Sequence, residues 1–279
     1  MRALPSHRPS RASISRFAAA QAAAVLAVAV LFVPGAARAW TPSSQQEIAA
    51  EAARLAPPDL ARQLLRHGER YLQGVVDAFH ERDPMRHMHN PDGSGILDKV
   101  ILDEADRAVA MIRAHRPFAD IAYQLGRVSH FMADADNPLN ASQADVNEGT
   151  YFADYLFYEQ SVQGRFARIF YGADAGLARA PGRASMQRFL HRVLDRSRTL
   201  YPLIGSEYKR VGRVDGQKLF DDRSTAFAVA ALSFSHALTD SAAVLRDIWL
   251  RSGGADLRGR AAIENQRLLI LPARAEPAP

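Results

Sequence analysis

Not one of the 279 residues is a cysteine. Disulfides, thiolate metal ligands and cysteine nucleophiles are therefore excluded. Any metal has to be held by His, Asp, Glu or backbone groups, a donor set that suits zinc, manganese or magnesium. Period-two alternation is also lacking over any useful length, which removes a sheet-based fold. The chain holds no Gly-x-Ser-x-Gly elbow, no Gly-rich phosphate loop with its lysine and no dinucleotide fingerprint. Serine-hydrolase, P-loop and Rossmann chemistries accordingly have nothing to build on.

Acidic residues are absent from the first 39 positions. Arg2, Arg8, Arg11 and Arg16 form a basic start, Phe17 to Val33 is rich in Ala, Val and Leu, and Ala37-Arg38-Ala39 offers a small-x-small cleavage site. This pattern predicts an export signal over 1–39, a periplasmic or secreted product, and no permanent membrane anchor after cleavage. Removing the segment removes five arginines, so 35 basic residues become 30, against 30 acidic ones. The basic pI near 9.7 thus belongs to the signal and gives no reason to expect a specific nucleic-acid partner. The 279 residues less these 39 leave 240, enough for one sizeable core. They contain no internal repeat and no second long apolar segment.

What the body does contain is helical periodicity. Ser44-Gln-Gln-Glu47 reads as a capping box ahead of Ile48, Ala52 and Leu55. Pro57-Pro58-Asp59 ends that helix and opens another through Leu64, Tyr71, Leu72 and Val76. The pattern returns over Leu97–Ile112, Phe118–Met132, about 150–172, about 184–201 and about 221–251. The expectation is an all-α, single-domain multi-helix bundle over 40–252 with a loosely held tail over 253–279. Between the helices, residues 77–93 form the longest irregular segment and carry Asp77, His80, Asp83, His87 and His89.

The chemistry concentrates around Leu125-Gly126-Arg-Val-Ser-His130-Phe-Met-Ala-Asp134. His130 and Asp134 stand four residues apart, which puts an imidazole and a carboxylate on one helix face, about one turn apart. That geometry lets both close on one metal ion. Pro138 follows and ends the helix. Cleavage after Ala39 makes Trp40 the first residue, and its free α-amine and carbonyl can chelate a metal through a five-membered ring.

With Trp40 after a cleavage site, a Leu-Gly-x-x-x-His-x-x-x-Asp element at 125–134 and His87-Met-His89-Asn90-Pro91-Asp92 upstream, the chain resembles the zinc-dependent phospholipase C / S1-P1 nuclease family. The likeness runs in order over most of residues 40–252 and is specific at 87–92 and 125–159. It implies an all-α exported protein that binds zinc and cleaves a phospholipid or another phosphodiester. It also implies metal ligation by Trp40, Asp77, His87, His130, Asp134 and Glu159, with Asp77 as ligand or as general base. Asp83 competes with Asp77, and His89 with His87, for their places.

Several departures stand out. The family's Pro-x-His is Pro138-Leu-Asn140 here, and its His-x-x-x-Glu is Tyr155-Leu-Phe-Tyr-Glu159. The histidine expected soon after Trp40 is replaced by Gln45 or Gln46. One zinc site is thus whole and up to two more are damaged. Two functions follow: a phospholipase C-type hydrolase with a reduced metal complement, or a degenerate member that binds a lipid or partner around at most one structural metal. A single-strand nuclease is disfavoured, because the Trp-Gly-x-x-Gly-His start of that branch is missing.

Overall fold

The computed structural model describes residues 40–142, 168–172, 174–211, 225–255 and 269–271. The predicted export signal and the Tyr155–Glu159 element lie outside the described residues.

Helix α1 spans Pro42–Leu55 and begins earlier than the capping-box reading placed it. Thr41 is the cap: its hydroxyl accepts from the Ser44 amide at 3.2 Å, and Pro42 sits in the first turn, where its missing N–H costs nothing. The second predicted helix divides at His67 into α2, Pro58–Arg66, and α3, Gly68–Phe79. A 3₁₀ turn, Pro84–His87, leads to α4, Leu97–Arg113, and α5, Phe118–Ala135. The chain then turns into the short α6, Pro138–Ala141, capped by the Asn137 side chain, which accepts from the Leu139 amide. Pro138 both ends one helix and starts the next, as its fixed φ allows.

A strand β1, Arg168–Phe170, precedes α7, Ala175–Arg179, then α8, Arg183–Val211, α9, Thr225–Arg251, and β2, Leu269–Leu271. Among the described residues the fold is all-α apart from this antiparallel β1–β2 pair, which joins Ile169 to Ile270. The sequence pattern extended a helix across β1, because a three-residue strand is too short to show a period. The strand docks on α9 through side chains, the Ile169 and Tyr171 amides each donating at 3.1 Å to the hydroxyls of Ser235 and Thr239.

One apolar core joins α1 to α5 with α8 and α9, and Tyr71, Phe131, Leu60, Leu64, Ile101 and Leu125 are among its fully buried members. Helix α9 is long and apolar enough to cross a membrane, yet 78% of its apolar window is buried inside the fold. At the crossing of α3 and α5 the backbones touch: Gly74 lies against the Tyr123 carbonyl and Gly126 against the Tyr71 carbonyl. The Tyr71 hydroxyl bonds Ser129 at 2.7 Å and donates to the Ala49 carbonyl at 3.1 Å, fixing α5 against α3 and α1. These contacts set the rotation of α5 and therefore the direction in which His130 points.

His236, on α9, stacks on Tyr171 with ring centroids 4.4 Å apart. Burial, and then the charge of Arg196, hold its imidazole down at about 3, against an ordinary 6.5. The unfolded chain takes up a proton near pH 6.5 that the folded chain refuses until about pH 3. Stability that is present above pH 6.5 is therefore lost as pH falls through that window. Thermal unfolding of His236→Gln beside the parent should show the variant losing several degrees less between pH 7 and pH 4.5. Parallel curves would contradict this assignment.

Candidate metal centre

Three side chains meet on one point: His87 from the 3₁₀ turn, and His130 and Asp134 from α5. His87 Nδ1 lies 2.8 Å and His130 Nε2 3.1 Å from the same Asp134 oxygen, Oδ2, and the two nitrogens are 3.3 Å apart. Ligands of tetrahedral zinc stand roughly 3.3–3.5 Å from one another, given bonds of about 2.0–2.2 Å. The three atoms therefore need to part by only a few tenths of an ångström to hold an ion. His130 and Asp134 are buried, 11% of the His87 side chain is exposed, and their ligand atoms form a group able to take a metal.

Electrostatics favour the same use. Burial pushes the Asp134 carboxyl up, but the charge and hydrogen bonds of His130 and His87 outweigh it and hold it down at about 2. An ionised carboxylate beneath two imidazole nitrogens, away from water, is a donor set that a divalent cation neutralises. The residues present fit zinc.

The 3₁₀ turn selects His87. Asp83 caps it, its carboxylate accepting from the Met85 amide at 3.0 Å, and it stands outside the three-residue group. Arg86 donates to Glu81 at 2.6 Å and to Glu104 at 3.1 Å. Arg127, one residue past the motif glycine, donates to Glu104 at 2.8 Å and also bonds Glu81. Both guanidinium groups lie over the Phe131 ring, which packs against His87 with ring centroids 5.3 Å apart. This lattice of Glu81, Arg86, Glu104 and Arg127 clamps the His87 turn to α4 and α5. Its members were not singled out in the sequence, although an arginine immediately before His87 and another four residues before Phe131 were a visible signal.

His89 points elsewhere: its Nδ1 meets Arg198 at 2.7 Å, and its backbone amide donates to the Asn140 carbonyl at 2.9 Å. Asp77 stands outside the three-residue group, its carboxylate accepting from Gln73 at 2.6 Å and from Tyr123 at 2.9 Å. Asp136 is buried and bonded to Arg196, which it shares with Asp240. Glu159 lies outside the described residues, as do Asp145, Glu148 and Asp154.

Trp40 is brought to the site. Its indole is buried and donates to the Ala133 carbonyl at 2.7 Å, with Phe234 edge-on at 5.9 Å. Together with Phe79, His87, His130, Asp134 and Asn140 it lines a cavity of about 10 Å³, roughly the space of one water molecule or ion. Gln45 also reaches the centre. Its amide nitrogen donates at 2.8 Å to Asp134 Oδ1, the carboxylate oxygen turned away from the histidines. Where the family resemblance calls for a histidine, a neutral amide has taken up the second oxygen.

No protein-family model matches the chain, and no curated protein is similar to it in sequence. Solved structures do share its fold. The alpha-toxin of Clostridium perfringens, from an avian strain, superposes with a TM-score of 0.57 at 12% identity over 79% of this chain and 66% of the toxin. The alpha-toxin of Clostridium absonum gives 0.53 at 12% identity over 78% of this chain and 66% of that one. The chain thus spans just under two thirds of the toxins' length, and at this identity the likeness is one of fold.

Proposed function

We propose that the protein is an exported, zinc-dependent phosphodiester hydrolase of the phospholipase C type, with a reduced metal complement centred on His87, His130 and Asp134. The observation that carries this reading is the convergence of those three donors at 2.8–3.3 Å within the fold of the alpha-toxins. Zinc bound there supplies a Lewis acid for a phosphoryl oxygen. Asp134 brings the single negative charge, and the two imidazoles act as neutral donors. The rings of Trp40, Phe79 and Phe131 exclude water, which strengthens every charge interaction inside. The main-chain groups of Trp40, once freed by cleavage, and Glu159 are auxiliary ligands that would serve the two damaged sites rather than this ion. Asp77 reaches the centre only by giving up Gln73 and Tyr123. The substrate class is a phospholipid or another phosphodiester.

A second reading rests on one specific feature. His130 and Asp134 are 1% and 3% exposed, and Gln45 closes the far side of the carboxylate. So enclosed a centre also suits a fold-holding ion in a protein that binds a lipid or partner without turnover.

Metal content of exported, processed protein, measured by plasma mass spectrometry beside turnover of a chromogenic phosphodiester, separates the two. The hydrolase reading expects about one zinc per chain and turnover that chelation abolishes and zinc restores. One zinc with no turnover moves the protein to the second reading. No zinc after supplementation removes both.

A further inference from the structure

The buried centre has one further oxygen with nothing to bond. Asn140 is 1% exposed and lines the cavity with the three donors, and its Oδ1 has no hydrogen-bond partner. Buried acceptors left unpaired are rare and call for an explanation. The backbone around it is fully committed: the Asn140 amide donates to the Asn137 carbonyl at 3.1 Å, and its carbonyl accepts from the His89 amide at 2.9 Å. These bonds fix the residue in place and tie it to the segment that carries His87. The side-chain oxygen is not used by them.

Among the described residues the only comparable amide oxygen is Gln45 Oε1, which is buried and unpartnered too, but Gln45 does not line the cavity. Phe79 has no donor atom, and the Trp40 indole nitrogen is spent on Ala133. Gln45 stands behind Asp134 and holds its other oxygen. Building on the metal centre proposed above, we infer that the Asn140 amide oxygen is the fourth protein ligand of the ion, giving two nitrogens and two oxygens around a single divalent cation. An amide oxygen is uncharged and is the weakest donor of the four. One carboxylate against a divalent ion leaves the centre with a net positive charge, which suits an anionic substrate oxygen. The oxygen-rich set also widens the accepted metals from zinc toward manganese.

The test uses the processed full chain and reads binding rather than turnover. Zn²⁺ affinity is measured by chelator competition, and Co²⁺ loading by visible absorption, for the parent, Asn140→Ala and Asn140→Asp. Asn140→Ala should weaken Zn²⁺ binding about tenfold or more and change the Co²⁺ band. Asn140→Asp, nearly isosteric and adding a negative charge, should bind Zn²⁺ more tightly than the parent. Thermal unfolding of the metal-free variants checks folding. If Asn140→Ala does not fold, the Asp variant decides alone. Parent-like affinity and an unchanged Co²⁺ spectrum in the folded variants would overturn the assignment while leaving the metal centre standing. A parent that binds neither Zn²⁺ nor Co²⁺ takes the centre and the Asn140 assignment down together.

Discussion

His130→Ala is expected to reduce zinc from about one ion per chain to a trace, and to abolish with it any phosphodiester hydrolysis. His130 contributes a nitrogen within reach of both remaining donors, 3.1 Å from Asp134 Oδ2 and 3.3 Å from His87 Nδ1. Without it one imidazole, one carboxylate and the weak Asn140 amide oxygen are left, too few for a stable zinc site without cysteine. The loss also reaches the metal-free fold. His130 is 1% exposed and packs between Phe79 and Phe131, so alanine opens a cavity there. Asp134 loses a hydrogen-bond partner that offsets part of the cost of its burial. Taking a hydrogen-bond partner from a buried carboxylate and leaving a cavity behind costs about 2–5 kcal/mol. In a domain of this size that is a fall in Tm on the order of 10 °C. His80→Ala is the control. That imidazole is exposed; among the described residues its Nδ1 bonds the Val76 carbonyl at 2.8 Å and its ring meets Phe79 edge-on, so zinc content should match the parent and Tm should change little. Equal zinc in both variants would remove α5 from the metal site.

Legibility of this centre in the sequence varied with distance along the chain. His130 and Asp134 could be paired by counting, because a helix converts a four-residue interval into a shared face. His87 could not be separated from His89 by counting, since both lie in an irregular segment without a period. The choice is made by the Asp83 cap and by Arg86, whose partners include Glu104, 18 residues on. Gln45 was visible only as a missing histidine. That its amide instead satisfies Asp134, 89 residues away, is a tertiary fact. The helices were legible where the apolar pattern was long. The break at His67 and the three residues of β1 were not, because each is shorter than the window that reveals a period.

The glycine in Leu125-Gly126-x-x-x-His130 has a steric cause, and Gly126→Ala should show it more severely than any surface change. A Cβ at 126 would lie 1.9 Å from the Tyr71 carbonyl oxygen, 3.0 Å from its carbon and 3.1 Å from the Val75 nitrogen. All three are backbone atoms of α3, so no side chain can swing aside. Gly74 makes the reciprocal approach, where a Cβ would stand 2.0 Å from the Tyr123 carbonyl oxygen. Accommodating a methyl group means moving α3 and α5 apart by roughly 1 Å along their crossing, against a core packed to crystal density. Alanine's better helix propensity returns about 1 kcal/mol. Overpacking of a rigid backbone contact costs about 3 kcal/mol or more, so the net effect is destabilising by about 2 kcal/mol or beyond, several degrees in Tm. The displacement also reaches the proposed metal centre. His130 lies one turn beyond Gly126 on the same face, and a site of this kind tolerates only about 0.5 Å of misplacement. Zinc affinity should therefore fall at least tenfold, even in the fraction that folds. Gly68→Ala supplies the comparison: nothing lies within 4 Å of a Cβ there, and alanine should leave Tm unchanged or raise it slightly. If Gly126→Ala melts and binds zinc like Gly68→Ala, the two helices are not in backbone contact, and the glycine of the motif must owe its place to something other than the approach of α3.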